Sequence, residues 1–159
     1  TWLKTAAASA TDKTYPNRFD VALSTRGARY VKPVALSPIV LGLPDAADNA
    51  GIEFTRGNIE VVTQFASLAQ TFRVTKSNTT LFKTLTTGNP CNVKMSIAST
   101  TGLFSGSFTL TDPGVTKPVV RTVSFYGLLI SPQAEGVGYF LLPALAPATA
   151  INSGMVRWH

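Results

Sequence analysis

Residues 102–143 read GLFSGSFTLTDPGVTKPVVRTVSFYGLLISPQAEGVGYFLLP, and their pattern decides the fold class. Three segments, 102–111, 119–131 and 137–142, are rich in β-branched and aromatic residues. Such side chains fit the pleated, half-buried surface of a sheet. Asp112-Pro113-Gly114 and Ser131-Pro132-Gln133 separate them, and proline, glycine and short polar residues are the chemistry of reversals. The stretch therefore predicts three strands joined by two turns. Phe125 and Tyr126 are neighbours, so one of them points away from a core that lies on one face of the strand. Phe104, Phe108, Phe125 and Phe140 are expected to fill the interior, with the tyrosines keeping a polar tip near water.

Each of these strands also carries glycine: Gly106, Gly127, and Gly136 with Gly138. Glycine weakens a strand unless a bend, a bulge or a close neighbour requires it. Three adjacent strands that share the feature imply a line of close approach. A barrel corner and a ligand groove both account for it.

Working outward, 1–5 alternates as a first strand, and 6–17 is a loop ended by Tyr15-Pro16-Asn17. Residues 18–25 place Phe19, Val21 and Leu23 on one face. A reversal at Arg26-Gly27 leads into 28–32. Pro33, Pro38 and Pro44 restrict 34–43 to an edge strand or a crossing segment, because proline supplies no ladder donor. A hairpin is expected around Arg56-Gly57, joining 51–55 to 58–62. Residues 64–70 are the one place where apolar spacing reads as helix. Residues 71–75 then pair with 79–86 across Lys76-Ser77-Asn78, and 92–99 turns Val93, Met95 and Ile97 inward. After Pro143 a linker leads to a last strand at 154–158 that can pair with an early one. The sum is a single all-β domain over 1–159: an antiparallel, closed or strongly curved barrel of about ten to twelve short strands.

Composition agrees with an ordered domain. Of the 159 residues 45% are hydrophobic and only 14% charged, against a usual ~25%. Apolar runs fall far short of the ~20 residues of a membrane-spanning helix. No basic stretch followed by an apolar one marks a signal peptide, and the chain begins at Thr1, as a processed chain or a piece of a longer one would. Fourteen Lys and Arg against eight acids give a net charge of +6. The cations are scattered singly, with the densest group at Arg26, Arg29 and Lys32, which weighs against nucleic acid and fits solvated strand edges.

The residues of catalysis are scarce. Histidine occurs once, as His159, and cysteine once, as Cys91, read as a buried thiol. With its one histidine as the terminal residue, where chains are usually mobile, the sequence is not expected to form a Ser-His-Asp or Cys-His arrangement, and a single cysteine leaves no material for a thiolate zinc site. Glu53 and Glu60 flank the expected hairpin and read as solvent-facing rather than as a glycosidase pair. Asp45, Asp48 and Glu53 supply oxygen ligands of the type calcium takes, but without EF-hand spacing, so a side-chain-held turn is the simpler reading. Asn78-Thr79-Thr80 is a glycosylation sequon on an expected turn. No cofactor is expected and no enzymatic activity.

The glycine–aromatic succession Gly102–Phe108, Arg121–Leu129 and Gly136–Leu142 resembles a β-rich domain that recurs near the ends of large secreted proteins of environmental bacteria. Tyr15–Pro33, ending GARYVKP, is similar to what precedes that motif in such proteins. The resemblance implies export, an extracellular or cell-surface setting and membership of a larger architecture. It carries no activity and no catalytic residues. The expected role is a structural or interaction domain that contacts copies of itself or neighbouring domains, with Trp2 and Trp158 as inter-subunit contacts. The alternative is a carbohydrate-binding module that holds a polysaccharide through exposed aromatics, foremost Tyr30 and Tyr126.

Overall fold

The computed structural model describes residues 2–4, 19–22, 27–33, 39–59, 68–112, 117–144 and 151–159. The residues named above at Tyr15, Glu60 and in the turn at Pro113-Gly114 lie outside these. Two short strands, β1 (Trp2–Lys4) and β2 (Phe19–Val21), pair only with each other. The other eight form one antiparallel sheet: β3 (Ala50–Arg56), β4 (Leu68–Val74), β5 (Thr80–Phe82), β6 (Lys94–Ala98), β7 (Leu103–Asp112), β8 (Val119–Ile130), β9 (Glu135–Pro143) and β10 (Ile151–Trp158).

Their order in space is β5-β4-β3-β10-β9-β8-β7-β6. Every neighbour in that list is a neighbour in sequence except β3 and β10, so the sheet is an up-and-down meander whose first and last strands pair. It curls until β5 meets β6, where the Thr80 hydroxyl donates to the Met95 carbonyl, and the result is a nearly closed eight-stranded barrel. Eight strands enclose an interior just wide enough for side chains. Here the largest of those side chains are aromatic. Phe54 on β3 meets Phe108 on the opposite wall with ring centroids 4.6 Å apart and Phe125 at 5.0 Å. Phe72 packs on Trp158 at 5.6 Å, and Trp158 meets Phe104 edge-on at 5.8 Å.

The all-β, barrel-like expectation holds, but the barrel has eight strands rather than ten to twelve. Residues 28–32 are not a strand. Tyr30 instead lays its ring over Gly102 and donates its hydroxyl to the Ser99 carbonyl at 2.8 Å, which pins this segment to the β6–β7 turn. The hairpin expected at Arg56-Gly57 does not form on β3, both of whose edges are taken by other strands; Arg56, Gly57 and Asn58 all have positive φ, and 60–62 lie outside the described residues. The partners of β3 are β4 and β10. Residues 68–70 are strand, not helix: β4 alternates strictly, with Leu68, Gln70, Phe72 and Val74 inward. β5 has three residues rather than eight, and β10 starts at Ile151, inside the expected linker.

Antiparallel pairing gathers the turns 75–79, 99–102 and 131–134 at one end of the barrel. There the Val40 amide donates to Asn78 Oδ1 at 2.8 Å, while Ile39 and Val40 join the core. At the other end Arg121 Nε donates to Asp112 Oδ2 at 2.6 Å, and Arg121 Nη1 donates to the Pro143 carbonyl at 2.5 Å. This buried ion pair ties the ends of β7, β8 and β9 together.

The glycines explain the curvature. Gly106 faces Phe125, Gly127 faces Phe104, and Gly154 faces Phe140 across neighbouring strands. In each pair the phenyl ring occupies the space a side chain would take. A Cβ on Gly154 would lie 2.0 Å from Phe140 Cζ, and one on Gly106 2.0 Å from the Lys94 carbonyl oxygen. The line of close approach is filled by the protein's own atoms: aromatic rings at Gly106, Gly127 and Gly154, and the backbone of Tyr126 and Gly127 at Gly138.

Candidate interaction face

Strand alternation that sends phenylalanine inward sends another set of side chains out. On β8, Val123 and Phe125 are buried while Ser124, Tyr126 and Leu128 are exposed. On β9, Phe140 and Leu142 are buried while Tyr139 and Leu141 are exposed. Register joins these residues into rows. Ser105, Tyr126, Tyr139 and Met155 stand in line across β7, β8, β9 and β10, and Leu103, Leu128 and Val137 form the row beside them. Tyr126 is 53% exposed and Tyr139 54%, with ring centroids 6.1 Å apart and planes inclined by 38°. Tyr139 and Lys94 carry no motif of their own. Only the register of β6 to β9 places Tyr139 opposite Tyr126 and Lys94 two strands away on the same face.

Beside Tyr126 the residues are small, and a shallow depression results. Its volume is about 460 Å³, and its rim carries Lys94, Ser96, Ser105, Ser107, Ser124 and Tyr126. A second, more apolar one of about 330 Å³ adjoins it on the side of Leu103 and Ala98. The first offers five hydroxyls and one ammonium group but no carboxylate.

The other expected contact residues lie elsewhere. Trp158 is 0% exposed, between Phe72 and Phe104, so its side chain is inside its own barrel rather than at a contact with another chain. Nothing is described of the Trp2 side chain, although its backbone pairs with Val21. Tyr30 is half-buried at the barrel end, its hydroxyl engaged, and burial raises its phenol pKa; it lines neither depression.

The acidic residues are occupied separately. Asp45 accepts from Arg73 at 3.0 Å and lies 3.2 Å from the Lys76 ammonium, and these two cations hold its carboxyl below the ordinary carboxylate range. Asp48 pairs with Lys83 at 2.9 Å, and Glu53 sits on β3. Asn49 fastens this loop, accepting from the Val74 amide at 2.7 Å and donating to the Pro44 and Val74 carbonyls. No group of three or more His, Cys, Asp or Glu able to hold a metal occurs among the described residues. Cys91 is buried, and desolvation raises its thiol pKa. The His159 backbone continues the β3–β10 ladder to Gly51, with its amide donating at 3.0 Å and its ring lying over the glycine. No helix among the described residues is long and apolar enough to cross a membrane.

Comparison with family models, with curated proteins and with solved structures finds no match for this chain.

Proposed function

We propose that this chain is a non-catalytic interaction domain of an exported bacterial surface or extracellular protein, and that it binds through the outer face of β6 to β10. Export and setting rest on the resemblance of its glycine–aromatic strands. The observation that carries the binding role is the exposed Tyr126–Tyr139 pair beside a hydroxyl-lined depression.

Two occupants compete for this face, and the chemistry of the depression separates them. Six half-exposed apolar side chains, with aromatics of ~150–250 Å² each, present roughly 600 Å². That is the scale of a functional patch on a monomer, and it also matches the apolar share, a little over half, of the ~800 Å² per partner of a standard interface. The C–H edges of a pyranose ring carry partial positive charge and stack on the negative face of a tyrosine ring, and its hydroxyls match serine. The hydroxyl-lined depression beside the tyrosine pair therefore favours carbohydrate over self-association.

The test is titration of the 159-residue chain with a panel of neutral and acidic polysaccharides, with light scattering at each concentration. Saturable binding that falls about tenfold in Tyr126→Ala supports the carbohydrate reading. Concentration-dependent oligomers that dissolve in Tyr139→Ala, without any polysaccharide binding, would replace it with self-association.

A further inference from the structure

The charge at the depression narrows the ligand, an inference that rests on the carbohydrate reading above. Lys94 is the one charged residue on the rim of the larger depression. Most other cations of the sheet and its turns are engaged: Arg73 and Lys76 with Asp45, Lys83 with Asp48, Arg121 with Asp112, Arg157 with Glu135. Lys94 has no carboxylate partner among the described residues. It is exposed on a short strand, in a chain of net charge +6, on the same face as an aromatic pair. An unpaired ammonium at a neutral, hydroxyl-rich rim is complementary to a ligand that carries an acid.

Register sets the spacing. Lys94 faces Ser107, which faces Ser124, while Ser96 faces Ser105, which faces Tyr126. Lys94 is therefore two strands away from Tyr126 and one row along. With strands ~4.8 Å apart and same-face residues ~6.8 Å apart, the separation is roughly 12 Å, about two sugar rings. A polymer in which acidic and neutral sugars alternate spans that distance.

We propose that this face binds a uronate-bearing polysaccharide, with a neutral pyranose stacked on Tyr126 and Tyr139, ring hydroxyls on the serines, and the uronate carboxylate on the Lys94 ammonium. A single-stranded nucleic acid also offers rings and negative charge, but it carries a phosphate at every nucleotide and is held by a cationic groove along its backbone. One ammonium among four serines fits sparse charge better.

Hyaluronan, which alternates a uronate with a neutral sugar, is the probe. The test measures binding of a hyaluronan octasaccharide, its carboxyl methyl ester and a thymidine dodecamer by calorimetry at low salt. The octasaccharide should bind two- to fivefold tighter than the ester, the scale of an exposed ion pair, and the margin should vanish at high salt. Lys94→Gln should bind acid and ester alike, Lys94→Arg should restore the preference, and Tyr126→Ala should weaken both ligands about tenfold. Circular dichroism confirms that each exposed-site variant is folded. Equal binding of acid and ester by the unaltered chain overturns the uronate assignment and leaves the carbohydrate reading standing. No binding of either saccharide overturns the uronate assignment, whereas preference for the dodecamer, or failure of the whole polysaccharide panel, overturns both.

Discussion

Phe104 on β7 and Gly127 on β8 stand directly opposite each other, and a Cβ on Gly127 would lie 2.2 Å from Phe104 Cζ. The carbonyl oxygen of Val137 stands 2.6 Å from the same point, so the added methyl group has backbone on one side and a buried ring on the other. Gly127→Ala should cost ~1–3 kcal/mol by overpacking. The thermal midpoint should then fall by roughly 2–12 °C in calorimetry. Gly27→Ala, where nothing lies within 4 Å, is the control and should change little.

Asp112 is 0% exposed and depends on Arg121, whose side chain is itself mostly buried. Arg121→Met leaves the carboxylate in the barrel end without its cation, and breaking such a pair costs ~3–5 kcal/mol. The double change Asp112→Leu with Arg121→Met removes both charges and should recover most of that loss. Urea unfolding of the three proteins checks this. A double variant no more stable than Arg121→Met would sink the argument.

Asp45 gives a pH dependence whose sign is determined. Its carboxyl is depressed, first by the hydrogen bond from Arg73 and then by that from Lys76. A depressed acid contributes stability that is present above its unfolded pKa and is lost as pH falls through its folded pKa. The loss therefore belongs to the acid limb, below the ordinary carboxylate range. In a carboxyl-resolved NMR titration Asp45 should titrate at lower pH than an aspartate in an unfolded peptide, and Arg73→Gln should move it upward.

Tyr30 should behave as a structural pin. Tyr30→Phe keeps the ring over Gly102 but removes the 2.8 Å bond to the Ser99 carbonyl. A loss of about 1 kcal/mol in urea unfolding is expected, with polysaccharide binding unchanged. A variant that binds less while remaining equally stable would return Tyr30 to the ligand site.

How much of this could be read in the sequence depended on how local the cause is. β7, β8 and β9 were legible because alternation and turn residues coincide within each strand, and the inward Phe125 and outward Tyr126 follow from the same period. The start of β4 was not, because Phe65, Leu68 and Ala69 mimic helical spacing, while a polar residue, Gln70, takes an inward position. The strand count ran high because Tyr30 and its neighbours have strand-like composition and are held instead by a contact 69 residues away. Trp158 reads as a surface aromatic on the last residues of the chain. Only pairing with both β3 and β9 puts it inside. The candidate face shows the same division: Tyr126 is visible in one strand, whereas its partnership with Tyr139 and Lys94 exists only across several.

Among the described residues β10 is the sole ladder connection between β3–β5 and β6–β9. On a ribosome it is also the last of the eight strands to emerge, so until then no ladder can join β3–β5 to β6–β9 and cover their phenylalanine faces. Phe54 can meet Phe108 early only by collapse, without a hydrogen-bonded frame to hold the two walls in place. The joint between the halves spans about a hundred residues of sequence, and such long closures slow folding. Synthesis thus exposes a window of aggregation risk that ends when Ile151–Trp158 slots between its two neighbours.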